Sequence, residues 1–195
     1  MSLDVRRHTI RRYPLRASAA CALGLLLSLT GCQAARHVGH SGTDAQPPSW
    51  NICFSPRGGC TQLVVDTIAS ANSQVLVQAH SFTSEPIAQA LVAARQRGVR
   101  VEAILDKSQR SEDDSRAALL ARAGIPVSID AAHAIAHNKV MVMDEDTVVT
   151  GSFNFTNSAE ERNAENLLVI KDKALASAYR ENWRKHRAHS QPFVP

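Results

Sequence analysis

Two apolar runs, "NKVMVMD" ending at Asp144 and "TVVTGSF" starting at Thr147, are separated by only two or three residues drawn from Asp144, Glu145 and Asp146. So short a connection cannot cross over a sheet, so the two runs form an antiparallel hairpin. The chain before it has another rhythm. Helical patterns at Thr61–Asn72, Ser84–Gly98 and Asp113–Gly124 alternate with strand patterns at Gln74–Phe82, Val99–Asp106 and Ile125–Asp130. Such alternation sets parallel strands side by side. A further strand, Ala164–Asp172, precedes a closing helix, Lys173–Ser190, with Leu175, Ala178, Tyr179 and Trp183 on one side. Thr61 stands near the N-cap of the first helix, and Ser84 can cap the second, which Gly98 closes. The expectation is an α/β domain: a mixed, largely parallel β-sheet flanked by helices, plus the antiparallel hairpin.

The first sixteen residues hold five arginines (Arg6, Arg7, Arg11, Arg12, Arg16) against Asp4, and the apolar run Ala17–Cys32 follows. That run falls short of the roughly 20 apolar residues a spanning helix needs, and it reads as a secretory signal over residues 1–31. Leu29-Thr30-Gly31-Cys32 resembles a bacterial lipobox, in which Cys32 would be lipidated and tie the protein to a membrane. An ordinary signal peptide with Cys32 incidental is the alternative. Gln33 follows the cysteine where an Asp would indicate inner-membrane retention, so the outer membrane is the expected location. Residues 32–49 are polar, with Gly, Ser and a Pro pair, and read as a tether to a domain at 50–195.

Removing the leader changes the charge. The chain has 22 basic and 18 acidic residues; the leader takes 5 and 1, which leaves 17 of each. The high isoelectric point is a property of the leader and says nothing of nucleic-acid binding. Any affinity for nucleic acid should then be modest and salt-sensitive. The basic tail Arg180–Ser190 is a candidate anion contact or a solvated helix face. Export exposes Cys53 and Cys60 to an oxidising compartment. The stretch between them holds a Pro and two Gly, so a Cys53–Cys60 disulfide is expected; free thiols or half a metal site are the alternatives.

Alternate strand residues share a face. His137 and Lys139 are two apart, as are Ser152 and Asn154, with Val140, Val142 and Val149 as packing. An imidazole, an ammonium, a hydroxyl and an amide could thus meet at one end of the sheet. The donors suit phosphoryl oxygens, and the imidazole suits attack or proton transfer near neutral pH. A lone strand histidine is more often a surface or satisfied one. Lys139 beside the imidazole disfavours a metal, and this strand has no second histidine at ligand spacing. No metal ligand and no cofactor is expected.

The spacing His137-x-Lys139-x(4)-Asp144-x(6)-Gly151-Ser152-x-Asn154 resembles the signature of the phospholipase D superfamily. Ala79–Ser84, Ala90–Asp106, Ala123–Val127 and Gly151–Ile170 are similar to its small single-motif bacterial endonucleases, and the likeness runs over about residues 50–190. The resemblance implies that His137 attacks phosphorus, that Lys139 and Asn154 grip non-bridging oxygens, and that Ser152 supports the site. It implies that Glu165 accepts a hydrogen bond from the second imidazole nitrogen; a surface acid is the alternative. Asp144 matches the motif, but its parity puts it on the other face or in the turn, so it reads as structural or as an ion-pair partner. His80 stands where relatives often carry tyrosine, and reads as a strand histidine or a cleft residue. One imidazole cannot be nucleophile and acid at once. With a single motif, the chain is expected to act as a homodimer with a shared site. The implied activity is metal-independent hydrolysis of DNA, with RNA as a further substrate, and phospholipase or phosphatidyl transfer on lipid head groups as the alternative.

Overall fold

The computed structural model describes residues 47–195. The expected leader, Cys32 and the tether up to residue 46 lie outside the described residues. Along the chain run β1 (Ser49–Ser55), α1 (Cys60–Ser70), β2 (Gln74–Ala79), α2 (Glu85–Gln96), β3 (Arg100–Asp106), a 3-10 turn at Lys107–Arg110, α3 (Ala117–Arg122), β4 (Val127–Asp130), β5 (Lys139–Met143), β6 (Thr147–Gly151), α4 (Asn157–Glu161), β7 (Glu165–Lys171), α5 (Lys173–His189) and β8 (Gln191–Pro192). The strands form one sheet in the order β1-β7-β6-β5-β2-β3-β4-β8.

The mixed α/β architecture and the β5–β6 hairpin match the sequence expectation. The sheet is less parallel than expected. Only β2–β3 and β3–β4 pair parallel, and the other five ladders are antiparallel. The reason is topological: helical crossovers join parallel neighbours only along β2, β3 and β4, and two edge strands unforeseen in the sequence, β1 and β8, add antiparallel neighbours. The first of them begins at Ser49, at the edge of the expected tether. A Cys53–Cys60 disulfide, with Cα atoms 5.6 Å apart, ties β1 to the start of α1.

Thr61 is not the N-cap of α1. Gly59 is, at φ 78, and the capping acceptor is distant in sequence: the Glu160 carboxylate accepts from Gly59 N at 2.9 Å and Thr61 N at 2.7 Å. The helix expected over 113–124 shrinks to the six residues of α3.

Apolar residues cover the sheet on both sides. On one side, α1 and α2 pack with Val75, Val77, Leu105, Met141 and Val149. On the other, Leu76, Ile104, Val140, Val142 and Val148 meet Ala176 and Trp183 of α5. Trp183 donates to Val77 O at 2.9 Å, so its indole N–H is satisfied within the core. Ala176 takes the buried place expected for Ala178, which is exposed. The α5 side is only partly covered. Pairing parity continues from Val148 to Ile170 and Trp50, and from Thr150 to Leu168 and Ile52. There Trp50 and Phe54 stay 66% and 63% exposed.

Candidate active site

The site lies where β2 ends and β5 begins. His137 precedes β5 by two residues, and its side chain is exposed. Lys139, the first residue of β5, is 7% exposed. Its ammonium donates to His137 O at 3.0 Å. Burial therefore fixes the cation beside the ring instead of leaving it to solvent. The charge of Lys139 is the largest cause that holds the His137 ring below its ordinary pKa; burial and His80 add to it, and Asp106 opposes it. Lys139 is itself lowered, by burial, while Glu165 pulls the other way.

The strand end is shaped by aromatic packing. Along the segment after β6, Phe153 and Phe155 are buried while Ser152 is exposed and Asn154 half-buried. This period of two sends the polar pair one way and the rings the other. Phe155 meets Phe82 edge-on at 6.3 Å, and its carbonyl accepts from Thr83 N and Ser84 N. Fully burying each such ring contributes about 2–3 kcal/mol, so the loops after β2 and β6 are locked to each other. Gly151, at φ 153, makes the approach possible: a side chain there would run into the Asn166 carbonyl. That carbonyl accepts from Ser152 N and Phe153 N, and Ser152 Oγ accepts from Asn166 N at 3.1 Å.

The other expected residues divide. Asn154 Oδ1 is buried without a hydrogen-bond partner. Glu165 is near enough to support the charge on Lys139. The bond expected from the His137 ring to Glu165 is not among the described hydrogen bonds; Glu165 Oε1 accepts from Asn163 Nδ2 at 3.1 Å instead. Asp144 sits in the hairpin turn at φ 49, at the far end of β5. It lies five residues beyond Lys139 along the strand, about 16 Å. Its carboxylate accepts from Asn72 N, Ser73 N, Gln74 N and Ser73 Oγ. Burial raises its pKa, but these bonds outweigh burial and hold it low. Asp144 is thus structural, and as a hub of hydrogen bonds more than an ion-pair partner: Arg180 reaches its carbonyl at 2.9 Å.

Two residues of the site received too little weight in the sequence. The His80 ring lies 4.7 Å from that of His137, centroid to centroid, and His80 Nδ1 is buried without a partner. Asp106, at the end of β3, is 2% exposed and accepts from Ala136 N at 2.7 Å, which ties down the segment leading to His137. Both stand at the C-terminal ends of neighbouring parallel strands, a placement that only the strand order reveals.

An ammonium, an imidazole with lowered pKa and an amide whose Nδ2 can donate are the groups here with chemistry suited to an anion. Residues 64–187 match the family described as cardiolipin synthase, PLD-like domain. The chain belongs to this PLD-like family. It is a hydrolase acting on phosphodiester bonds. A protein of Rickettsia bellii named phospholipase D is 43% identical over 140 residues, which span 72% of this chain and 70% of that one. The crystal structure of Nuc from Salmonella typhimurium, a phospholipase D family member, superposes with a TM-score of 0.73 at 38% identity, covering 76% of this chain and all of that one. NucT from Helicobacter pylori shares the fold with a TM-score of 0.70 at 23% identity, covering 75% of this chain and all of that one.

Proposed function

We propose that this PLD-like hydrolase cleaves nucleic acid, DNA first and RNA as a further substrate, without a metal and through a phosphohistidine at His137. The carrying observation is the exposed His137 ring held toward its neutral form by the charge of the buried Lys139. A neutral ring keeps a nitrogen lone pair free to attack. In the first step that lone pair forms a P–N bond while the P–O bond to the leaving ester oxygen breaks. The leaving oxygen takes a proton from a second, protonated imidazole. Water then attacks phosphorus, the P–N bond returns its electrons to His137, and the second imidazole recovers a proton from the water. Lys139 and Asn154 hold the non-bridging oxygens, and Ser152 braces the strand end beside them.

The second imidazole is the His137 of another copy in a homodimer, where two coupled rings share one proton. An uncovered apolar patch supports such pairing: Trp50, Ile52, Leu168 and Ile170 line an open depression of ≈ 290 Å³ on the bare part of the α5 side. Export on a lipidated Cys32 to the outer membrane completes the proposal, and the Cys53–Cys60 disulfide is consistent with an oxidising compartment.

Nucleic acid is favoured by the likeness to Salmonella Nuc along its whole length. The likeness to the rickettsial phospholipase D keeps a lipid reading in play. The deciding experiment incubates plasmid DNA and, separately, phosphatidylcholine vesicles with the protein and its His137→Ala variant in excess EDTA. Nicking by the parent protein alone is expected. Head-group release without nicking would transfer the proposal to lipids.

A further inference from the structure

Three of the eight histidines in the chain gather at a place the phosphodiester chemistry does not use. Asp130 ends β4 with its side chain fully buried. His133 follows in the loop toward His137, and His186 and His189 stand in the last turn of α5. All three rings turn a nitrogen toward one oxygen: Asp130 Oδ2 lies 2.7 Å from His186 Nδ1, 3.2 Å from His189 Nε2 and 3.8 Å from His133 Nε2. The ring centroids are 5.0–5.3 Å apart. One donor atom from each of the four residues lies within 4.8 Å of every other.

We propose that Asp130, His133, His186 and His189 form a structural zinc site that staples the end of α5 to the end of β4. Imidazole nitrogen and carboxylate oxygen are both zinc ligands, with bonds of about 2.0–2.2 Å and hence tetrahedral ligand-to-ligand edges of about 3.3 Å. The separations of 2.7, 3.2 and 3.8 Å straddle that edge, while the other donor-to-donor distances, within 4.8 Å, must close by up to about 1.5 Å for the three rings to complete the tetrahedron. Hydrogen bonding alone accounts for His186 and His189 but not for the aim of His133, whose nitrogen lies beyond hydrogen-bond range. The carboxylate is already oriented: its other oxygen accepts from Ala132 N at 3.1 Å, the kind of support that fixes a metal ligand. The end of α5 adds a favourable field, since a helix C-terminus attracts cations. His133 and His189 are 46% and 38% exposed, which leaves an entry path.

The staple has a mechanical consequence. β4, the segment from Ala131 to Asn138, and α5 followed by β8 converge on it, and that segment ends at the active site. The zinc itself lies far from the phosphoryl group. β4 is three strands from β5 in the sheet, about 14 Å at the usual spacing. Metal-free cleavage at His137 and zinc binding at Asp130 are therefore independent claims.

The test is metal binding by the full chain, first stripped with chelator, then titrated with zinc against a chromophoric competitor and with cobalt(II) as a spectroscopic probe. One tightly held zinc per chain is expected, with the intense visible bands of tetrahedral cobalt and a melting temperature raised by several degrees. His133→Ala removes an exposed loop ligand without disturbing the core, so it should stay folded and weaken zinc by at least the ~10–100-fold that loss of an outer-sphere partner costs. His186→Ala with His189→Ala should abolish the cobalt bands. His137→Ala should keep them. Binding without the tetrahedral spectrum, no stoichiometric zinc in the parent protein, or unchanged affinity in a folded His133→Ala variant overturns the proposal.

Discussion

The two ends of strand β5 carry residues of one sequence signature in opposite states. At its start, Lys139 and His137 stand among groups with unused bonding capacity: His80 Nδ1 and Asn154 Oδ1 are buried without partners. At its end, the Asp144 carboxylate is saturated by three backbone N–H groups and a hydroxyl. A buried polar group without a partner costs about 1–3 kcal/mol. At the start of β5 a ligand that donates a hydrogen bond would satisfy Asn154 Oδ1, whereas a phosphoryl oxygen calls for its Nδ2. At the other end the Asp144 carboxylate closes a turn with its own bonding complete, although Nε of the neighbouring Arg180 is buried without a partner. Membership in a motif thus does not decide a residue's role; its unspent hydrogen bonds do.

The largest test of this contrast removes the nucleophile. His137→Ala should lower cleavage by about 10⁴-fold or more and leave the melting temperature almost unchanged, because the side chain is exposed. A comparable rate in this variant breaks the assignment of the active end.

Next comes the source of the second imidazole. Trp50→Glu with Phe54→Glu places charge on the uncovered face and should yield folded monomers in sedimentation. Loss of the acid's contribution should slow cleavage by about 10²–10⁴-fold. A fully active monomer would point instead to His80, whose ring already lies against that of His137.

Asp144→Ala should act on stability alone. Losing hydrogen bonds to a charged acceptor costs about 2–3 kcal/mol, read as a lower denaturant midpoint with turnover retained at low temperature. The pKa of Asp144 is depressed in the folded state. Its contribution is thus present above the unfolded value of about 3.9 and is lost as pH falls through the folded value. The gap between parent and variant should therefore narrow in acid. A variant of equal stability and impaired turnover would reverse the roles of the two ends.

The smallest effect concerns pH. In the proposed mechanism the neutral His137 ring is the attacking form, and its pKa is lowered. The acid limb of kcat/KM should consequently lie below the ordinary histidine value of about 6.5, with more than half of full activity persisting at that pH. A limb above it would mean that Lys139 does not set the state of the ring.

Much of this was legible before the structure. Spacing alone located the hairpin, because two or three residues permit no other connection, and parity alone sent Asp144 away from His137 and Lys139. What stayed hidden depends on neighbours in space. The acceptor at the start of α1 comes from Glu160, about a hundred residues away, and no local spacing points to it. β1 was unread because Trp50, Ile52 and Phe54 alternate outward on an uncovered face and resemble a short apolar tether end. His80, Asp106 and Asp130 come to one end of neighbouring strands only through the order of β2, β3 and β4. Histidines 186 and 189 have ligand spacing on a helix, yet they acquire a partner only when α5 folds back over β4.

The central claim is a covalent bond between His137 and phosphorus, and the stereochemical course at phosphorus tests it most directly. A diester made chiral at phosphorus with sulfur and heavy oxygen is hydrolysed, and the configuration of the product is read. Two successive in-line displacements, first by His137 and then by water, predict net retention. Net inversion would mean that water attacks directly and that no phosphohistidine lies on the path.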